Sequence, residues 1–127
     1  MTKVLVLNNN GCPASDVIKL VLASAGFEVR VTACSAEQLR AAVQWDPDVI
    51  ILDVLPPTNG AWQDCQAIQR YCRAPILVLS IENDPHSIAK ALDGGADDYL
   101  SKPISADVLT AHVNRLARRA RFCQAAP

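Results

Sequence analysis

Asp53 closes a run of four apolar residues, Val49-Ile50-Ile51-Leu52, so its carboxylate is carried to the end of a strand. Desolvation there is unfavourable unless a cation stabilises the charge. Lys102, held at another strand end by Pro103, offers a compact ammonium. Ser80, which ends the run Ile76-Leu77-Val78-Leu79, offers a hydroxyl able to donate to an oxygen of a group attached to Asp53. A carboxylate, an ammonium and a hydroxyl in one crevice suit phosphoryl transfer, in which Asp attacks phosphorus while cations and donors spread the charge on the transferred oxygens. The same residues also fit a buried ion pair with a capping serine, and spacing alone leaves both readings open.

Other chemistries lack their residues. The chain has no G-x-x-x-x-G-K-[ST], no G-x-S-x-G and no G-x-G-x-x-G after a strand. A phosphatase with an aspartyl nucleophile would want an acid two residues after Asp53, where Leu55 stands, and Asn9-Asn10-Gly11 is too weak a signal for a phosphate cradle. No enzyme activity is expected. Five cysteines, Cys12, Cys34, Cys65, Cys72 and Cys123, form an odd set without C-x-x-C spacing or paired histidines, which indicates neither a disulfide framework nor a zinc site.

Twelve Lys plus Arg against thirteen Asp plus Glu leave a net charge of −1, which argues against wrapping nucleic acid through general electrostatics. The local exception is Arg115, Arg118, Arg119 and Arg121, read as a solvated helix end or the start of a linker in preference to a phosphate-binding patch. No apolar run approaches the roughly 20 residues of a membrane-spanning helix. Met1-Thr2-Lys3 leads into a Val/Leu strand and not a signal peptide, so a cytoplasmic location is expected.

The elements that must position Asp53, Ser80 and Lys102 alternate along the chain. Short apolar runs at 4–7, 29–31, 49–52, 76–79 and 99–100 read as strands. Helical spacing separates them. The first helix follows a Ser15 cap and stops at Gly26; the second covers 35–44, with Leu39, Ala42 and Val43 as its inner face, and ends before Pro47. The others cover about 61–72, 85–92 with Gly94-Gly95 as stop, and 105–121. The runs 49–52 and 76–79 are continuously apolar, as in central strands of a parallel sheet covered on both faces. The pattern predicts a doubly wound α/β sheet of five strands in the order 2-1-3-4-5, with ligands bound beyond the carboxyl ends of the strands. Asn8-Asn9-Asn10, Asp53, Ser80 and Lys102 then line one crevice.

These residues resemble the signature of the receiver domain of two-component response regulators, the CheY-like fold, over nearly the whole chain. Lys3-Val-Leu-Val-Leu7 matches the opening strand, and Asp48-Val-Ile-Ile-Leu-Asp53 with Pro57 and Gly60 matches the phosphoacceptor strand and loop. The most specific string is Ala91-Leu-Asp-Gly-Gly-Ala-Asp-Asp-Tyr-Leu-Ser-Lys-Pro103, with 22 residues from Ser80 to Lys102. The resemblance implies a flavodoxin-like, three-layer (βα)5 sandwich over residues 1–121, with 122–127 a tail or the start of a linker. It implies that Asp53 accepts a phosphoryl group from a sensor histidine kinase, that Lys102 contacts that group, that Ser80 is the switch hydroxyl, and that Tyr99 is the aromatic whose ring swings.

Two departures from the family pattern matter. The acidic pair that ends the first strand in the family reads Asn8 and Asn9 here. In the family that pair holds Mg2+ together with the phosphoacceptor and a main-chain carbonyl two residues beyond it, here Leu55. Two neutral amides offer Mg2+ a much poorer site, so Mg2+ binding is expected to be weak. In place of three carboxylates against one lysine, this pocket sets Asp53 against Lys102 and is neutral. The loop 54–60 is also one residue shorter than the usual form.

The fourth helix, fifth strand and fifth helix resemble those of the subfamily that dimerises through this face and carries a DNA-binding domain downstream. Lys90, Asp97, Asp98, Arg115 and Arg118 are the candidate face, with His112 where an arginine is common. A phosphorylation-independent pseudo-receiver, acting as a binding or dimerisation module, is the alternative that the two asparagines favour.

Overall fold

A computed structural model describes residues 2–8, 14–33, 35–54 and 61–125. The elements follow the order β1 (Lys3–Asn8), α1 (Ala14–Ser24), β2 (Glu28–Ala33), α2 (Ala36–Val43), β3 (Val49–Asp53), α3 (Ala61–Gln69), β4 (Ile76–Ser80), α4 (Pro85–Asp93), β5 (Asp98–Ser101) and α5 (Ala106–Ala125). All five strands are parallel and lie in the order β2-β1-β3-β4-β5. This is the doubly wound sheet expected from the alternation of elements, with the flavodoxin-like topology that the resemblance implied.

The pleat explains why the central strands are apolar throughout. Successive side chains point to opposite faces, so Val4, Val6, Val49, Ile51, Leu77 and Leu79 pack with Ile18 and Leu22 of α1 and Leu109, Val113 and Leu116 of α5. Their neighbours Leu5, Leu7, Ile50, Leu52, Ile76 and Val78 pack with Leu39 of α2 and Cys65 and Ile68 of α3. Residues at both faces are removed from water, and the only buried polar side chains among the described residues are those of Asp53 and Ser80. Cys65 and Cys72 are free, with Cys65 inside the second cluster, while Cys12 and Cys34 lie outside the described residues.

Several helix ends differ from expectation. Helix α1 begins at Ala14, which places Ser15 within the first turn and not at the cap; Asp16 supplies the negative charge that this helix end favours. Helix α3 stops at Gln69, three residues early, and Arg70 and Tyr71 form a turn held by the Ala67 and Ile68 carbonyls. Helix α5 continues to Ala125, because no Gly or Pro interrupts residues 106–125.

The start of α4 is built by Asp84, whose Oδ2 accepts the Ser87 N–H at 2.9 Å. That backbone bond, and after it the Ser87 side chain, holds the Asp84 carboxyl below its ordinary value of 3.8. The folded state therefore favours the carboxylate. Its contribution is complete above the ordinary value and disappears as pH falls through the lowered one. Protection of the α4 amides, taken relative to their intrinsic exchange rate at each pH, is expected to fall in acid for the unaltered chain, to be low at every pH for Asp84→Ala, and to stay high at every pH for Asp84→Asn, which retains the capping oxygen.

Candidate functional site

Parallel pairing aligns the carboxyl ends of the inner strands. Asn8 is the register partner of Asp53, Asp53 of Leu79, and Ser80 of Ser101. The Lys102 N–H extends this ladder by donating to the Ser80 carbonyl at 2.7 Å, and a cis peptide joins Lys102 to Pro103. Strand geometry thus delivers residues far apart in the chain to one rim.

The Lys102 Nζ lies 2.5 Å from Asp53 Oδ1. The aspartate side chain has no exposed surface, whereas 18% of the lysine side chain remains exposed. A buried carboxylate is tolerated when a cation and hydrogen-bond donors replace its water, and here the ammonium is both. Ser80 is also fully buried, and its Oγ accepts the Glu82 N–H at 3.1 Å. Among the described residues no buried side-chain nitrogen or oxygen lacks a partner.

Glu82 connects this rim to the neighbouring strand and helix. Its carbonyl accepts the Tyr99 phenol at 2.8 Å and the Ser101 hydroxyl at 3.2 Å. Its carboxylate accepts the Ser87 hydroxyl at 2.8 Å. Sequence reasoning found Tyr99 but not Glu82, Ser87 or Ser101, because a main-chain carbonyl leaves no signature in residue type.

The expected site residues do not all come together. Asp53, Lys102 and Ser80 share the rim, with Asn8 half-buried beside Asp53 in register, while Asn9 and Leu55 lie outside the described residues. On α4, β5 and α5, Asp98 Oδ2 contacts His112 Nδ1 at 2.5 Å and Arg115 Nη2 at 2.6 Å within the same chain. Asp97 turns one carboxylate oxygen onto the Ile76 N–H at 2.9 Å, where it secures the start of β4. Lys90 and Arg118 are exposed.

As a metal site the described residues fit Mg2+ poorly. They contain no group of three or more His, Cys, Asp or Glu side chains able to hold a metal ion. Asp53 Oδ1 is already engaged by the ammonium, and the residue beside it is a neutral amide. A small, strongly hydrated cation needs anionic oxygens to displace its water.

Comparison with known proteins agrees with the topology. A family model described as the response regulator receiver domain matches residues 12–114. The transcriptional regulatory protein KdpE of Mycobacterium tuberculosis is 34% identical over 119 residues, covering 94% of this chain and 52% of KdpE. The DNA-binding dual master transcriptional regulator RpaA of Synechocystis is 34% identical over 131 residues, covering 99% of this chain and 54% of RpaA. The chain therefore spans about half the length of these relatives. A two-component response regulator from Clostridium difficile superposes with a TM-score of 0.79 at 27% identity, covering 94% of this chain and 98% of that one. The receiver domain of sensor histidine kinase PA1611 from Pseudomonas aeruginosa is a solved structure with a magnesium ion coordinated in its active site cleft. That structure is 22% identical to this chain, with a TM-score of 0.74 over 92% of this chain and 98% of that one, and shares its fold. With the strand order, the buried aspartate and the extent of these matches taken together, this chain belongs to the response regulator receiver domain family.

Proposed function

We propose that this chain is the receiver module of a longer response regulator and that Asp53 is its phosphoacceptor. The observation that carries this reading is the buried Asp53 carboxylate held by Lys102 at 2.5 Å, one strand from the buried Ser80 hydroxyl. In the transfer, an Asp53 oxygen forms a bond to phosphorus while the bond from phosphorus to the histidine nitrogen of a sensor kinase breaks, and the electron pair returns to that nitrogen. Lys102 and Ser80 then face the transferred oxygens. Ser80 and Tyr99 carry the change to the face formed by α4, β5 and α5, where Lys90, Asp97, Asp98, Arg115 and Arg118 support a homodimer. A DNA-binding domain downstream, a cytoplasmic location and the absence of turnover of external substrates belong to the same reading. Among the described residues no helix is long and apolar enough to cross a membrane.

The second reading is a pseudo-receiver whose output is set by binding or dimerisation alone. Asn8 and Asn9 in place of an acidic pair favour it, because a neutral pocket closed by Lys102 has little need of a divalent cation. Weak Mg2+ binding is expected on either reading, and slow phosphorylation on the first alone. Incubation with acetyl phosphate, followed by weighing of the intact protein, separates the two. A slow gain of one phosphoryl mass that is absent in Asp53→Asn supports the phosphoacceptor, and no gain at all supports the pseudo-receiver.

A further inference from the structure

The connection between β4 and α4 is gripped at one carbonyl by two hydroxyls. Tyr99 and Ser101 are two apart on β5, so the pleat sends both side chains to the same side of the sheet. Ser80 pairs with Ser101 in register, which sets Glu82 just beyond the rim and within reach of both. A carbonyl oxygen has two lone pairs and can accept both donors at once. The same residue is tied to the rim by its N–H on Ser80 Oγ and to the first turn of α4 by its carboxylate on Ser87.

We infer that Ser101 is a second latch on this connection, a positioning residue that keeps Glu82 docked on β5 when the Tyr99 ring leaves. With the phenol as the one donor to this carbonyl, the bond from β5 to the connection would be lost whenever the ring swings out. With Ser101 present, that motion leaves the Glu82 carbonyl satisfied, and the start of α4 keeps its place. Ring position and connection position are then partly uncoupled in this chain. Only the consequence for output rests on the switching reading of Asp53; the latch itself is a matter of hydrogen bonds within the chain.

The two donors act on one acceptor, so their removal is not additive. Loss of either leaves the carbonyl bonded, whereas loss of both leaves a part-buried acceptor without these partners. The readout is hydrogen exchange of the Glu82 amide, followed by NMR in the full chain, with the β1 and β3 amides as an internal measure of intact folding. Tyr99→Phe and Ser101→Ala are each expected to speed exchange by about twofold, and the double variant by about thirtyfold, the size expected when both of these bonds to one part-buried carbonyl are lost. In the Tyr99→Phe background, Ser101→Thr is expected to hold the slow rate and the isosteric Ser101→Val to lose it. The Val and Thr pair favours a strand, and so keeps the test available should the alanine double variant unfold. A single variant as fast as the double, a double no faster than the singles, or Thr and Val behaving alike would each overturn the latch. None of these rates requires a group on Asp53, so failure of the latch and failure of phosphorylation are distinct results.

Discussion

Asn8→Asp combined with Asn9→Asp will make the stability of this chain depend on Mg2+. Residue 8 is the register partner of Asp53, so its replacement sets a second carboxylate beside the one that Lys102 holds, and the residue-9 replacement adds a further negative charge to the chain. Two like charges about 6 Å apart repel by roughly 3 kcal/mol at an effective dielectric of about 20. In the presence of a chelator, the thermal midpoint of the variant is expected to fall by about 10 °C, the shift that roughly 2 to 3 kcal/mol produces in a domain of this size. An ion bound by the new oxygens restores it, since about 2.7 kcal/mol is recovered at a hundredfold excess over the dissociation constant. The unaltered chain is expected to melt at the same temperature with Mg2+ and with chelator. Equal responses of variant and unaltered chain would show that the amides are not what sets metal affinity.

Lys102→Met will leave the Asp53 carboxylate buried without its ammonium. Breaking a buried pair from one side is destabilising by about 3 to 5 kcal/mol, and the partly exposed lysine puts the expectation near the lower end, about 3 kcal/mol. Urea unfolding measures it. The loss is expected to shrink to about 1 kcal/mol in Lys102→Met/Asp53→Leu, where neither charge remains and the apolar residues of β3 and β4 surround the site. If Lys102→Met alone changes stability by less than about 0.5 kcal/mol, the size of an ordinary surface substitution, the ammonium is not the counter-charge of Asp53.

What the sequence disclosed and what it concealed follow from the range of the forces involved. Val49-Ile50-Ile51-Leu52 and Ile76-Leu77-Val78-Leu79 announced central strands because burial on both faces selects apolar residues at every position, and both segments have fully buried side chains in the structure. Asp53, Ser80 and Lys102 were legible because parallel strands place the first polar residue after each run at one edge of the sheet. Ser15 was misjudged, since a serine near a helix start serves as a cap only if the helix begins after it.

The Glu82 network was out of reach because its central acceptor is a peptide carbonyl, which every residue possesses. Asp97 and Asp98 are adjacent and chemically alike, yet one secures the Ile76 amide and the other binds His112 and Arg115. Only the direction imposed by the pleat separates their roles. A dimer through α4, β5 and α5 would therefore have to share an Asp98 carboxylate that already has two partners within its own chain.

The central claim is that Lys102, and not a metal ion, is the cation that Asp53 faces. Titrating Mg2+ into the unaltered chain by calorimetry tests it most directly. The expected result is no saturable binding at concentrations up to about 10 mM, weaker than roughly −2.7 kcal/mol of binding free energy. Saturable one-to-one binding with a dissociation constant well below about 1 mM, abolished by Asp53→Asn, would contradict it.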